Sequence, residues 1–152
     1  SPRGEQKGIF RMIVDGDIPS KKIEENKEVV AVVGKRIVSR GQVLLIPKKS
    51  VSEGKNMPNS SFMLAKKIAK RMASKLKAEN VEIQTANLFG EVVLDIIPTY
   101  NKQIDKNKAY ESSDEEMEEV YQKLRRVEKP KVIRIKKTKT PEKALKLKRR
   151  IP

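Results

Sequence analysis

Cysteine, histidine and tryptophan are all missing from this chain of 152 residues, and three Phe and three Tyr are its whole aromatic complement. Without cysteine there is no disulfide and no thiolate chemistry, which suits an intracellular, reducing compartment (cytoplasm or nucleus) or the inside of a virion. With neither Cys nor His, the usual zinc sites fall away. So do Ser–His–Asp and Cys–His catalysis. No apolar run approaches the roughly 20 residues that a membrane helix needs. The opening SPRGEQKG has no apolar core of a signal peptide, so no membrane partner is expected. So few aromatics make a poor platform for stacking bases, and Phe10, Phe62 and Phe89 are expected in the core.

What the chain has in excess is positive charge: 35 Lys and Arg against 20 Asp and Glu, a formal +15. The excess is uneven. Residues 129–152 hold eleven cations and a single anion, Glu142. Such a surface attracts polyanions, and nucleic acid is the commonest large one.

The hydrophobic pattern divides the chain. Gly8–Val14 (GIFRMIV) reads as a strand stopped by DGDIPS. Glu28–Val33 and Gln42–Pro47 read as two more, forming a hairpin around GKRIVSRG with Ile37 and Val38 packed down. Asn59–Ser61 (NSS) is the expected N-cap set of an amphipathic helix with Ala65, Ile68, Ala69, Met72 and Leu76 on its apolar stripe. Asn80 is its expected left-handed stop. Two strands follow around Gly90, the second carrying Asp95 and ending at Pro98. This order predicts an α+β fold: a small, largely antiparallel sheet covered by one amphipathic basic helix, with a charged C-terminal helical or extended appendage. Ile68, Met72 and Leu76 are expected to face Val30, Val32, Leu44, Ile83 and Val93.

Residues 8–100 would form the compact domain and 101–112 a linker. An acidic–apolar helix over 113–128, opened by a Ser113/Glu116 capping box, would dock through Met117, Val120, Tyr121 and Leu124. The basic extension, 129–152, closes the chain. A chain cut after residue 103 is expected to fold without the rest.

Three groups of cations are candidate phosphate contacts: Lys66, Lys67, Lys70 and Arg71 on the helix, Lys35, Arg36 and Arg40 in the glycine-bounded loop, and Lys136, Lys137, Lys146, Lys148, Arg149 and Arg150 in the extension. They lead to the expectation of a non-enzymatic basic component of a large assembly. It would bind RNA or DNA backbone with low sequence specificity beside other protein subunits, with no cofactor, metal or catalytic residue. One alternative is a structural connector in a viral or phage particle. Another is a small metal-dependent enzyme acting on nucleic acid through Asp15, Asp17 or Asp95. EVVLDIIPTY, following a basic helix, resembles the later catalytic strand of polymerase-beta-type nucleotidyltransferases. That family also needs an upstream Gly-Ser helix turn with an Asp-x-Asp pair beside it, which this chain lacks, so membership is not implied.

Overall fold

A computed structural model describes residues 7–101 and 104–127 of the chain. The extension cations Lys136, Lys137, Lys146, Lys148, Arg149 and Arg150 lie outside the described residues.

The fold is α+β. Its first element is a helix, α1 (Ile9–Asp15), where the sequence predicts a strand. Phe10, Ile13 and Val14 share one face and pack on the sheet. Gly16, at φ 83°, turns the chain out of the helix while Asp17 N–H bonds back to Met12 O at 2.8 Å. Seven largely apolar residues are too few for periodicity to separate helix from strand.

Five antiparallel strands follow: β1 (Lys22–Glu25), β2 (Val29–Val33), β4 (Val43–Pro47), β5 (Asn80–Leu88) and β6 (Glu91–Thr99), in spatial order β1-β2-β4-β6-β5. The expected hairpin is there, since β2 pairs with β4 from Val29↔Pro47 to Val33↔Val43. In its connection Ile37 is buried within β3 (Arg36–Ile37), which pairs with β7 (Tyr110–Glu111).

Helix α2 (Asn59–Lys75) buries Leu64, Ala65, Ile68 and Met72. Two of its boundary signals are corrected. Pro58 occupies the N-cap position and gives no side-chain bond, so Asn59–Ser61 are already helical. Lys77, not Asn80, takes the left-handed conformation (φ 62°), and Asn80 starts β5.

Beneath α2 lie Val29, Ala31, Val33, Val43, Leu45, Val92, Leu94 and Ile96. Of the residues expected there, only Ile83 packs against that cluster; Val30, Val32, Leu44 and Val93 turn to the opposite face, under α1. Strands covered on both faces are apolar at every position and carry no alternation to set their phase. Phe10 is buried as expected, but Phe62 is at the surface and Phe89 is 79% exposed, edge-on to Phe10 at 5.8 Å between ring centroids.

Helix α3 (Asp114–Leu124) starts from Ser113, whose hydroxyl accepts from Glu116 N–H. Val120 and Leu124 are buried in the same cluster as Ile68 and Met72, with Met117 and Tyr121 packed against it. The expected docking stripe therefore finds its partner within the chain, and α3 shares the core of the sheet domain.

Candidate functional site

Beyond α1 the second face of the sheet turns polar. Asp95 lies in register between Leu44 of β4 and Gln84 of β5. Gln42 Nε2 donates to Asp95 Oδ1 at 3.1 Å, and Val38 N–H donates to Gln42 Oε1 at 2.8 Å. The second bond fixes which end of the Gln42 amide meets the carboxyl. Lys106 reaches over from the segment after β6. It donates to Gln84 Oε1 at 2.9 Å and pairs with Glu82 at 2.9 Å. Burial pushes the Asp95 carboxyl above its usual range, while the Gln42 hydrogen bond and the Lys106 charge pull the other way. The result is a half-buried carboxyl whose charged form burial disfavours, with an amide on each side and a cation near.

The segments that hold this group also wall a cavity of about 660 Å³, lined by Val38, Ser39, Arg40, Tyr100, Asn101, Ile104, Asp105, Lys108 and Tyr110. Ser39 Oγ donates to Pro98 O at 2.6 Å, and the Tyr100 hydroxyl donates to Arg40 O at 2.9 Å. Gly41 makes this packing possible. Its φ is 93°, and a Cβ there would lie 2.5 Å from Leu76 Cδ1. Burial raises both tyrosine hydroxyls, and the Glu116 charge adds to the rise. Glu116 Oε2 is itself buried with no hydrogen-bond partner among the described residues, an acceptor left for a donor to fill.

The expected phosphate contacts are not brought together here. Lys66, Lys70, Lys35 and Arg36 are exposed. Arg71 is half-buried: it pairs with Glu24 and donates to Leu124 O at 2.8 Å, tying α2 to β1 and α3. Lys67 lies 3.7 Å from the same Glu24, and Arg40 pairs with Glu119 at 3.1 Å. Asp15 and Asp17 share Lys7, at 3.0 and 2.7 Å. Among the described residues no group of three or more carboxylates could hold a metal ion, and no helix is long and apolar enough to cross a membrane. Asp95 stands out in the sequence as a charge within an apolar strand. Its neighbours Gln42, Gln84 and Lys106 carry no local signal, because strand pairing brings the two glutamines to it and the segment after β6 brings the lysine.

The family model for the HIT domain matches residues 15–98, which covers all five strands and α2. The chain belongs to the HIT domain family. An uncharacterized HIT-like protein of Mycoplasma genitalium, MG132, is 32% identical over 102 residues, spanning 60% of this chain and 72% of that one. Among solved structures, a hypothetical histidine triad nucleotide-binding protein from Sulfolobus tokodaii superposes with a TM-score of 0.64 at 19% identity, covering 76% of this chain and 87% of that one. A HIT family hydrolase from Legionella pneumophila gives 0.53 at 20% identity over 64% of this chain and 96% of the other. These two share the fold.

Membership corrects the expected function. A non-enzymatic assembly component or virion connector is overturned, because the chain falls in a family that includes nucleotide-binding proteins and hydrolases. Composition misled because net charge describes what a surface attracts and says nothing of fold. The 152 residues of this chain hold no histidine, so none of them can act as a histidine triad.

Proposed function

We propose that this chain binds a nucleotide on the sheet face around Asp95, as a HIT-family protein whose polar chemistry runs through a carboxyl and amides instead of imidazoles. The observation that carries the reading is Asp95 itself, set between Gln42 and Gln84 beside Lys106 and next to the tyrosine-lined cavity. Carboxyl and amide groups suit ribose hydroxyls and base edges. Lys108 supplies charge for phosphate, joined by Lys106 and Arg40 where a phosphate takes the place of Glu82 and Glu119. A phosphate-ester hydrolysis run here would take its oxygen from water and pass a proton from the Asp95 carboxyl to the departing oxygen, a role that an upward-shifted carboxyl fits. A cytoplasmic setting suits such a ligand.

Titration with nucleoside monophosphates, followed by calorimetry and by assay of released phosphate, tests the reading. Asp95→Asn should weaken binding by about tenfold or more, the scale of one lost hydrogen bond involving a charged or acidic group. It should also abolish any turnover. Stability should move the other way. A carboxyl whose pKa is higher folded than unfolded binds more protons in the folded state, so stability falls as pH rises from the unfolded value, 3.8, through the raised folded one. Above that window the cost of the buried charge is complete. The asparagine variant escapes it, and should melt at or above the parent temperature at pH 7 and lose that advantage in acid. Unchanged nucleotide affinity in Asp95→Asn, or no nucleotide binding by the parent chain, would remove the proposed site.

A further inference from the structure

At the other end of the sheet, where β4 ends and the loop to α2 begins, lies a second cavity of about 560 Å³. Lys27, Lys48 and Lys49 line it together with Ser50, Ser52 and Glu28. Its frame is held on three sides. Asn26 Oδ1 accepts from Glu28 N–H and Val29 N–H at 2.8 and 2.9 Å, which fixes the turn bearing Lys27. Arg11 donates to Pro47 O at 2.7 Å and also to Lys48 O, while pairing with Glu91 at 2.9 Å. Val51 O accepts from Val92 N–H at 2.7 Å, anchoring the loop to β6. Of the three lysines only Lys48 is in an ion pair among the described residues, a long 3.5 Å contact with Glu25. The single lining carboxylate, Glu28, accepts from Ser60 Oγ at 2.7 Å.

We infer that this cavity is a second ligand site, for the phosphate group of a small anion, separate from the face around Asp95. Three ammonium groups against two carboxylates, Glu28 in the lining and Glu25 on Lys48, still leave a local excess of positive charge on Lys27 and Lys49; compact ammoniums are effective phosphate partners, and the two serine hydroxyls can donate as well. The hydrogen-bonded frame matters because it fixes the backbone that bears the lysines, so the loop does not have to be ordered when the anion arrives. A free phosphate and a phosphate ester present the same group. The inference stands independently of the nucleotide reading.

The test uses the full chain with two probes, inorganic pyrophosphate and a sugar phosphate, followed by amide chemical shifts and calorimetry. Both probes should move the amides of Lys49, Ser50 and Ser52. Tighter binding of the sugar phosphate assigns the site to organic esters, and tighter pyrophosphate to inorganic anions; either supports it. Changing Lys27 and Lys49 together to Ala should weaken the tighter probe at least tenfold, flatten its salt dependence, and leave nucleotide affinity within twofold. Both are exposed, so folding should be unaffected, and an unchanged melting temperature verifies it. Undisturbed lining amides, unchanged affinity in the double variant, or an equal loss of nucleotide binding would each overturn a separate site. A chain that binds no nucleotide yet takes up pyrophosphate here would end the Asp95 reading and leave this one standing.

Discussion

A chain ending at residue 111 should lose its cooperative melting transition, whereas one ending at residue 127 should keep it. The difference between the two is α3 with its flanks. Leu124 is fully buried and Val120 nearly so, in the cluster formed by Ile68, Met72 and Val29. Burying a Val or Leu side chain contributes about 1.5–3 kcal/mol each, and Met117 and Tyr121 add partial contacts. Removing the helix therefore takes away several kcal/mol, out of the ~5–15 kcal/mol that holds a typical domain together. It also uncovers Met72 and Ile23 to water. The single change Leu124→Ala isolates the effect and should destabilise by about 2–5 kcal/mol, the range for a fully buried leucine. Thermal melting of the two truncated chains and urea denaturation of Leu124→Ala, each beside the parent, measure these effects. If the chain ending at 111 melts as sharply as the parent and within a few degrees of it, α3 is an accessory, as the expectation of an independent 1–103 core requires.

Arg71→Ala should destabilise the fold by about 3 kcal/mol, while Lys70→Ala beside it should change stability by less than ~0.5 kcal/mol. The two residues are adjacent in sequence and alike in charge, but they point to different surroundings. Lys70 is in solvent. Arg71 meets Glu24, whose side chain is only 5% exposed, and caps the carbonyl of Leu124 at the end of α3. Removing the guanidinium leaves a buried carboxylate with only Lys67, 3.7 Å away and mostly in water, to balance it. Breaking a buried pair on one side is the costly case. Replacing Arg71 and Glu24 together by Met and Leu should recover much of the loss, because neither charge is then stranded. A double-mutant cycle on these positions reads the coupling directly. Equal small effects for Arg71 and Lys70 would return Arg71 to the solvent face and to the set of candidate phosphate contacts.

The contrast between Arg71 and Lys70 shows where sequence reading stops. Helical periodicity made the α2 stripe legible, with Ile68 and Met72 at the bottom of the core, because a helix repeats its environment every three to four residues whatever lies opposite. Pattern also gave the hairpin of β2 and β4, the pair of strands around Gly90, and the Ser113 cap, since each depends on neighbours a few residues apart. The Gly8–Val14 segment had no such repeat to display. Its apolar residues satisfy a strand as well as a helix, and only the sheet beneath Phe10, Ile13 and Val14 selects the helix.

Charge behaved in the same way. The sequence by itself determined that the chain is strongly basic, that it has no imidazole or thiol to offer any reaction, and that an α+β arrangement was in prospect. It showed Asp95 as an anomaly among Val92–Ile97 without saying what it meets. Tertiary structure alone decided which strand face looks at α2, that Arg71 is spent on Glu24, and that Gln42, Gln84 and Lys106 gather around Asp95. The reason is range. Helix stripes, caps and turns are set by contacts within one or two turns of chain, whereas Gln42 and Asp95 are 53 residues apart and meet only through the strand register between them.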